Sequence, residues 1–334
     1  MQNRILYLDY SRLFVAFLVV LGHMLPVNDQ NIRPFIYAFH MPFFCLASGI
    51  LHKYNGTIQF KKYLRTIIRP YLFFNLLFLI IHPLMFKLGF TGQWNVPNVL
   101  SSDDFLSILT SFFYTHIQRL SIGFDGPTWF LLIILWCKIG LDSIMNNKFN
   151  VFIFIILSLF LFLCHNNFFY LRQALQLFPF FFVGFYYKNM INHFMLKGNH
   201  TILFLLFLFL TIILTMLNGR VTWLGSTFGQ LSFPFNLICS YINAFIGSFA
   251  FLFLSTLFKK NQVVIRVALS LITILCVQNL FIYTYRSVLG FSGTYVIEIM
   301  ISIAILFICV IVHSFLSQKI PWIYGKINNK FIVI

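Results

Sequence analysis

The sequence predicts an all-α membrane protein, a polytopic bundle of about ten transmembrane helices with both termini in the cytoplasm. Three observations support this fold class. Of the 334 residues, 60% are hydrophobic and only 9% are charged, and the mean hydropathy is +0.89. Soluble domains are far more polar than this. No soluble domain of appreciable size can be built from the remaining residues, so the membrane bundle must carry the function.

Apolar stretches of about 20 residues, the length needed to cross a bilayer, predict the individual spans. The predicted helices are Tyr7–Met24, Pro34–Leu51, Ile67–Phe90, Thr128–Met145, Val151–His165, Phe169–Tyr187, Thr201–Leu217, Phe233–Phe258, Val263–Tyr285 and Tyr295–Leu316. A further segment in the loop 91–127 is expected to lie in the membrane interface.

Charge in the connecting loops predicts the orientation. Most basic residues fall on one side of the predicted membrane, and the opposite side has few, such as Arg33, Arg119 and Arg220. By the positive-inside rule both termini are cytoplasmic. We expect the first span to be retained, because no small-residue cleavage site follows it. Without an internal repeat or a flexible linker, residues 1–334 are predicted to form a single transmembrane domain.

The first predicted span carries ionisable residues at both ends. Arg12 and His23 are eleven residues apart, which places them within about 20° of one helical face and roughly 16 Å apart along the axis. Asp9 lies one turn before Arg12. Ionisable groups inside a membrane segment usually face a bundle interior, which makes this face a candidate site. The alternative is that Asp9 and Arg12 lie at the cytoplasmic headgroups and His23 near the outer boundary.

The loop Lys53–Pro70 is strongly basic and contains no acidic residue. Its arginines, Arg65 and Arg69, are four residues apart and share a helical face. Forked guanidinium donors and lysine point charges suit the phosphates of a nucleotide-like ligand that arrives from the cytoplasm. The alternative is ordinary positive-inside charge that attracts anionic lipid.

Net charge and cysteine content exclude two other kinds of site. The formal net charge is +16, but the basic residues are dispersed among apolar spans, so no nucleic-acid-binding face is expected. The six cysteines lie singly in apolar segments. This arrangement predicts neither a disulfide framework nor a metal site.

Four stretches carry a family resemblance. They are Arg12 with His23, the segment FHMPFFCLASGIL at 39–51, the basic KKYLRTIIRPY at 61–71, and GPTWFLLIILW at 126–136. In this order and spacing the chain resembles the acyltransferase 3 superfamily of integral membrane proteins. The resemblance is greatest to its branch of polysaccharide and sugar O-acetyltransferases, which includes the fucose 4-O-acetylase-like members.

The resemblance implies a fold, a reaction and a location. It implies ten helices in a bacterial inner membrane, acetyl-CoA as a cytoplasmic co-substrate with no permanently bound cofactor, and a glycan hydroxyl as acceptor. His23 matches the family histidine, implied to act as general base or acyl relay, and Arg12 matches its basic partner. A neutral imidazole suits proton abstraction near neutral pH. Arg65 and Arg69 match the family's basic residues near the acyl-CoA site, and the neighbouring Lys61 and Lys62 are expected to add to acyl-CoA binding.

One position departs from the family pattern. Near its penultimate helix the family often has a histidine, where this chain has Gln278 and Asn279. Either that position is not catalytic, or this chain differs in acceptor or activity.

Several other residues are candidates for acceptor binding or support. His40 contacts a substrate or satisfies a carbonyl freed by Pro42. Ser48 belongs to the family's Ser-Gly pair, for which helix packing is the competing interpretation. Trp129 stacks on a sugar or belongs to the interfacial aromatic belt. Glu298 pairs with Arg286 or accepts hydrogen bonds from a sugar, whereas Asp142 is expected to flank a helix end.

Two functions are compatible with these features. One is an O-acetyltransferase acting on a surface polysaccharide or its lipid-linked precursor, and the other is an exporter of a polysaccharide intermediate without catalysis. Binding of CoA through Arg65 and Arg69 separates them, because an exporter has no need of it. The acceptor sugar, the acyl chain and the oligomeric state are left open by the sequence.

Overall fold

The computed structural model describes residues 5–26, 28–87, 126–146, 170–198, 200–223, 227–290 and 294–325. These residues form an almost wholly helical structure, which confirms the predicted fold class. The helices are α1 Leu6–Met24, α2 Ile32–Leu51, α3 Phe60–Tyr63, α4 Arg69–Lys87, α5 Trp129–Asn146, α6 Leu171–Tyr186, α7 Lys188–Leu196, α8 Thr201–Asn218, α9 Phe235–Ser255, α10 Gln262–Leu269, α11 Leu271–Leu289 and α12 Tyr295–Lys319.

Shorter elements complete the described structure. A π-helical turn spans Leu64–Ile68, and 3₁₀ turns span Gly126–Thr128 and Pro321–Tyr324. Strands β1 (Val221–Thr222) and β2 (Thr227–Phe228) form one antiparallel hairpin. Within the described part of the chain, seven helices are long and apolar enough to cross a membrane. The total number of spans and the side of the termini stay predictions.

One predicted span was wrong. Val263–Tyr285 was expected to be a single helix, but α10 ends at Leu269 and α11 begins at Leu271. At Ser270 both the backbone amide and the side-chain hydroxyl donate to the Val267 carbonyl, at 3.0 and 2.8 Å. A serine side chain that competes for a backbone carbonyl in this way favours a helix end. The predicted span Val151–His165 and the predicted interfacial segment lie outside the described residues.

The described contacts group into two compact units. The first comprises residues 1–52, 177–271 and 293–310, and the second comprises 53–176, 272–292 and 311–334. Each unit is assembled from segments that are distant in sequence. The prediction of a single domain stays a prediction.

In the first unit, α9 packs against α1, α2 and α8. The Phe39 and Phe251 rings stack with centroids 5.0 Å apart. Glycines bring α2 and α6 into backbone contact, because a Cβ at Gly49 would lie 2.0 Å from the Phe181 carbonyl oxygen, and one at Gly184 would lie 2.2 Å from that of Leu46. Close approach of this kind is the usual role of small residues between membrane helices.

In the second unit, the C-terminal 3₁₀ turn packs on α4 and on the π-helical turn. Thr273 Oγ1 forms hydrogen bonds with His313 Nδ1 at 2.9 Å and with the Tyr324 hydroxyl at 2.7 Å. Gly325 follows with φ +69°, and a Cβ there would lie 3.2 Å from the Arg65 carbonyl oxygen. The end of the described chain therefore buttresses the segment that carries Arg65.

Candidate functional site

The imidazole of His23 lies in the last turn of α1, in the first unit. Its side chain is half-buried. Its Nδ1 is 3.5 Å from the hydroxyl of Tyr37 on α2, and the two rings meet at 69° with centroids 6.1 Å apart. This is a long hydrogen-bond contact. Tyr37 is thus a neighbour that can orient the imidazole.

Tyr37 in turn lies among cationic and aromatic side chains. Arg33 Nη2 donates to the Tyr37 hydroxyl at 3.3 Å. The guanidinium carbons of Arg33 and Arg220 lie 5.0 and 5.9 Å from the Tyr37 ring centroid, within the range of cation–π attraction. The ring of His40 meets Tyr37 edge-on at 5.0 Å. We call His23, Arg33, Tyr37, His40 and Arg220 the His23 cluster.

The local sequence of α2 explains three of the five members of this cluster. Arg33, Tyr37 and His40 follow a spacing of four and three residues, which puts them on one helical face. Asp29 fixes the start of that helix, because its Oδ1 accepts the backbone amides of Asn31 at 3.2 Å and Arg33 at 2.8 Å. Burial raises the pKa of the Asp29 carboxyl, but hydrogen bonds from Arg33, Tyr295 and Asn31 outweigh it and lower the pKa.

The β-hairpin brings Arg220 to the same place. Pro42 interrupts the hydrogen-bond ladder of α2, which frees the carbonyl of Ala38. The indole Nε1 of Trp223 donates to that carbonyl at 3.1 Å, and Trp223 is only 2% exposed. Because Arg220 is three residues before Trp223 and Tyr37 is adjacent to Ala38, this anchor sets Arg220 over Tyr37. The carbonyl freed by Pro42 is thus satisfied by Trp223.

His40 therefore does not have the structural role that the sequence offered as an alternative. Its Nδ1 contacts the Ile36 carbonyl at 2.9 Å, one turn earlier in α2, and its side chain is 6% exposed. The contact with Tyr37 places His40 in the wall of the His23 cluster. Its part in acceptor binding stays a prediction.

The structure does not bring Arg12 to His23. Arg12 Nη2 donates to the Ala268 carbonyl at 2.7 Å, and another approach of 3.9 Å joins Arg12 to Asp9. Ala268 lies in the last turn of α10, where a cation is favoured by the helix dipole. Arg12 and the buried Asp9 thus tie α1 to α10 at the opposite end of α1 from the imidazole. A catalytic role for Arg12 stays a prediction.

The basic segment lies in the second unit. Lys61 and Arg69 are exposed, and Lys62 and Arg65 are half-buried. Arg65 falls within the π-helical turn, and the Arg69 amide closes that turn on the Leu64 carbonyl. Single π-helical turns inside α-helices are rare and frequently occur at functional sites. The turn is an independent indication that this basic segment is more than a topology signal.

A buried group beside this segment was missed from the sequence. Asp142 was expected to flank a helix end, but it is fully buried. It accepts a hydrogen bond from the Tyr63 hydroxyl and another from the backbone amide of Gln59 at 3.4 Å. Lys138, one turn earlier, is 6% exposed, with its Nζ 5.8 Å from the Tyr63 ring centroid. Burial, then the hydrogen bond and charge of Asp142, raise the pKa of Tyr63, which keeps its hydroxyl a donor.

Lys62 belongs to the same network. Its Nζ donates to Gln59 Oε1 at 3.0 Å. Burial lowers the pKa of Lys62, the negative charge of Asp142 opposes this, and the positive charge of Lys53 adds to the lowering. Lys62 therefore loses its charge at a lower pH than an ordinary lysine, whose pKa is about 10.4.

A pH dependence of CoA binding follows if Lys62 binds phosphate. The cationic form binds, so affinity is expected to fall as the pH rises from neutrality toward the ordinary lysine pKa of about 10.4. Calorimetric titration of CoA into the purified protein measures this. Lys62→Arg, which keeps its charge throughout, is expected to flatten the profile. A steep loss of affinity that persists in Lys62→Arg would assign the pH dependence to another group.

Three further candidates are placed separately. Trp129 in the second unit lies against Tyr170, with ring centroids 5.4 Å apart. Glu298 in the first unit is fully buried in the first turn of α12. Ser48 is half-buried beside the packing residue Gly49. The roles of Trp129, Glu298 and Ser48 in acceptor binding stay predictions.

The position that departs from the family pattern is also buried. Gln278 is 0% exposed and Asn279 is 6% exposed. Within the described part of the chain, neither Nε2 nor Oε1 of the Gln278 side chain has a hydrogen-bond partner. A buried amide in this state is costly. Its presence where the family often has a histidine stays unexplained by the structure.

Comparison with protein-family models identifies one match. The model described as an acyltransferase domain, acyltransferase 3, matches residues 5–316. Comparisons with curated proteins and with solved structures find no match. The matched range contains the whole His23 cluster, the basic segment and the buried Lys138 and Asp142.

Proposed function

Because this chain belongs to the acyltransferase 3 family and is a multi-pass membrane acyltransferase, we propose that it transfers an acetyl group from cytoplasmic acetyl-CoA to a glycan hydroxyl. The acceptor is a surface polysaccharide or its lipid-linked precursor at a bacterial inner membrane. The observation that carries the proposal is the half-buried imidazole of His23, whose Nδ1 faces the Tyr37 hydroxyl at 3.5 Å.

His23 acts as the general base in this proposal. The proposal assigns the tautomer in which Nδ1–H donates to the Tyr37 oxygen, so that the opposite ring nitrogen carries the lone pair. That nitrogen takes the proton of the acceptor hydroxyl as the oxygen attacks the thioester carbonyl. A carbon–oxygen bond forms and the carbon–sulfur bond breaks. The proton then passes to the departing thiolate, which yields an acetyl ester and free CoA.

The basic segment holds the donor. CoA carries phosphates at its nucleotide end, and guanidinium groups recognise phosphate through paired charge-assisted hydrogen bonds. Arg65 and Arg69 supply such groups, and Lys61 and Lys62 add compact charges. The π-helical turn and the buttress by the C-terminal turn support a defined arrangement of this segment.

Donor binding tests this assignment. Arg65→Gln and Arg69→Gln are each expected to weaken CoA binding about tenfold or more, because a hydrogen bond to a charged group contributes about 1.5–3 kcal/mol. Titration of CoA into the purified protein measures the dissociation constant. The matched control is Lys319→Gln, which removes an exposed charge outside the segment. If CoA fails to bind the wild-type protein, the proposed donor is wrong.

A further inference from the structure

Arg33 is a buried cation that the proposed reaction does not use. Its side chain is 9% exposed. Its Nη1 donates to the Leu25 carbonyl at 3.3 Å and its Nη2 to the Tyr37 hydroxyl at 3.3 Å, and its Nε is buried without a hydrogen-bond partner. Among the described residues, Arg33 forms no ion pair with a carboxylate.

The nearest carboxylate along the chain is already engaged. Asp29 Oδ1 accepts the amides of Asn31 and Arg33, and Asp29 Oδ2 accepts the Tyr295 hydroxyl at 2.7 Å. These contacts fix the start of α2 and leave the guanidinium of Arg33 to neutral partners. A guanidinium that is buried among neutral groups has lost hydration without gaining a counter-charge, which is unfavourable.

A second guanidinium approaches the same aromatic ring. Arg220 lies 5.9 Å from the Tyr37 centroid and Arg33 lies 5.0 Å from it. Both guanidinium groups lie near this one ring, and like charges repel in a poorly hydrated site. The sequence has few basic residues on this side of the predicted membrane, so their convergence is not a consequence of general charge density. An anion bound by Arg33 and Arg220 would offset both costs.

Arg33 and Arg220 lie in the same cluster as the residue that is proposed to activate the acceptor hydroxyl. Contacts of 3.3 and 3.5 Å through the Tyr37 hydroxyl link Arg33 to His23 Nδ1. An anion on Arg33 therefore lies on the same side of the cluster as the proposed base. We propose that the acceptor glycan is anionic, and that Arg33 and Arg220 bind a phosphate or carboxylate carried by it. This inference rests on the proposed function, which supplies the glycan hydroxyl.

Binding of matched sugars to the purified protein tests the inference without any need for catalysis. The probes are methyl glucoside, methyl glucuronide and glucose 6-phosphate, and the readout is thermal stabilisation as a function of probe concentration, which gives an apparent dissociation constant. The wild-type protein is expected to bind both anionic sugars at least about tenfold more tightly than methyl glucoside. A difference of that size is typical of one charged hydrogen bond.

The variants assign the effect to the pair. Arg33→Gln and Arg220→Gln are each expected to remove most of the preference for anionic sugars. Arg33→Lys is expected to keep part of it, because charge is retained and the forked geometry is lost. If Arg33→Gln fails to fold, the variants Arg220→Gln, at a half-buried position, and Arg33→Lys still show whether the pair binds the anion. The control is Lys197→Gln, an exposed lysine in the same unit.

Three results would overturn the inference. The first is equal affinity for neutral and anionic sugars, and the second is an unchanged preference for anionic sugars in both glutamine variants. The third is binding of glycerol 3-phosphate as tight as that of the anionic sugars, which would point to a lipid headgroup as the source of the anion. The test is separable from that of the proposed function. A protein that binds anionic sugars through Arg33 but transfers no acetyl group contradicts the proposed function alone.

Discussion

His23→Ala is expected to reduce acetyl transfer by about 10²- to 10⁴-fold, the usual contribution of a positioned general base. The purified protein is reconstituted in lipid, supplied with radiolabelled acetyl-CoA and a glycan acceptor, and the label in the glycan is counted. CoA binding should change little, because the proposed donor-binding residues are in the basic segment. The loss is thus expected in kcat rather than in donor affinity.

The matched control removes a histidine that has no part in the proposed chemistry. His193 is exposed on α7, in the same unit as His23, and His193→Ala is expected to transfer acetyl groups like the wild-type protein. Equal transfer by His23→Ala and the wild type would remove His23 from the mechanism.

Gly49→Ala is expected to prevent the chain from accumulating in a folded form. The added Cβ would lie 2.0 Å from the Phe181 carbonyl oxygen, 2.9 Å from its carbonyl carbon and 3.0 Å from the Phe185 amide nitrogen. These are backbone atoms, so no change of side-chain rotamer relieves the contact and α2 must separate from α6. The expected cost is at the upper end of the overpacking range, about 3 kcal/mol or more, against a typical total stability of about 5–15 kcal/mol.

Fluorescence-detected size-exclusion chromatography of the membrane extract measures the folded fraction. Gly184→Ala is expected to have a similar effect, because its Cβ would lie 2.2 Å from the Leu46 carbonyl oxygen. The control is Gly198→Ala, where the nearest atom is His200 Cε1 at 3.9 Å. Normal accumulation and thermal stability of Gly49→Ala would contradict the close packing of α2 on α6.

The sequence predicted the helices well where an apolar stretch coincides with one element. α1, α2, α5, α8 and α12 begin within two residues of their predicted starts, because hydropathy and length are strong signals for membrane helices. Hydropathy could not predict the break at Ser270. An apolar run continues through it, and the break depends on hydrogen bonds between Ser270 and Val267.

Prediction of the site was limited by its tertiary origin. His23 was found because an imidazole in an apolar helix is conspicuous and because it matches a family position. Tyr37 was missed, although its spacing from Arg33 and His40 marks a shared face. Arg220 could not be connected to that face from the sequence, because the connection depends on the indole of Trp223 reaching the carbonyl freed by Pro42.

The same limit applies to the second unit. Asp142 is close to the end of an apolar helix, which suggested a carboxylate that flanks the helix end. It is buried instead because Tyr63 and the amide of Gln59 donate to it across about 80 residues of sequence. Lys138 was overlooked because one lysine in an apolar helix has no distinctive spacing.

The most direct test of the account is mass spectrometry of surface glycans from cells that produce the wild-type chain, His23→Ala or no chain. The account predicts sugars that carry the additional mass of an acetyl group only with the wild-type chain, while His23→Ala accumulates to the same level in the membrane. The cells used must make the acceptor glycan. The same acetyl content in the glycans of all three strains would then contradict the account.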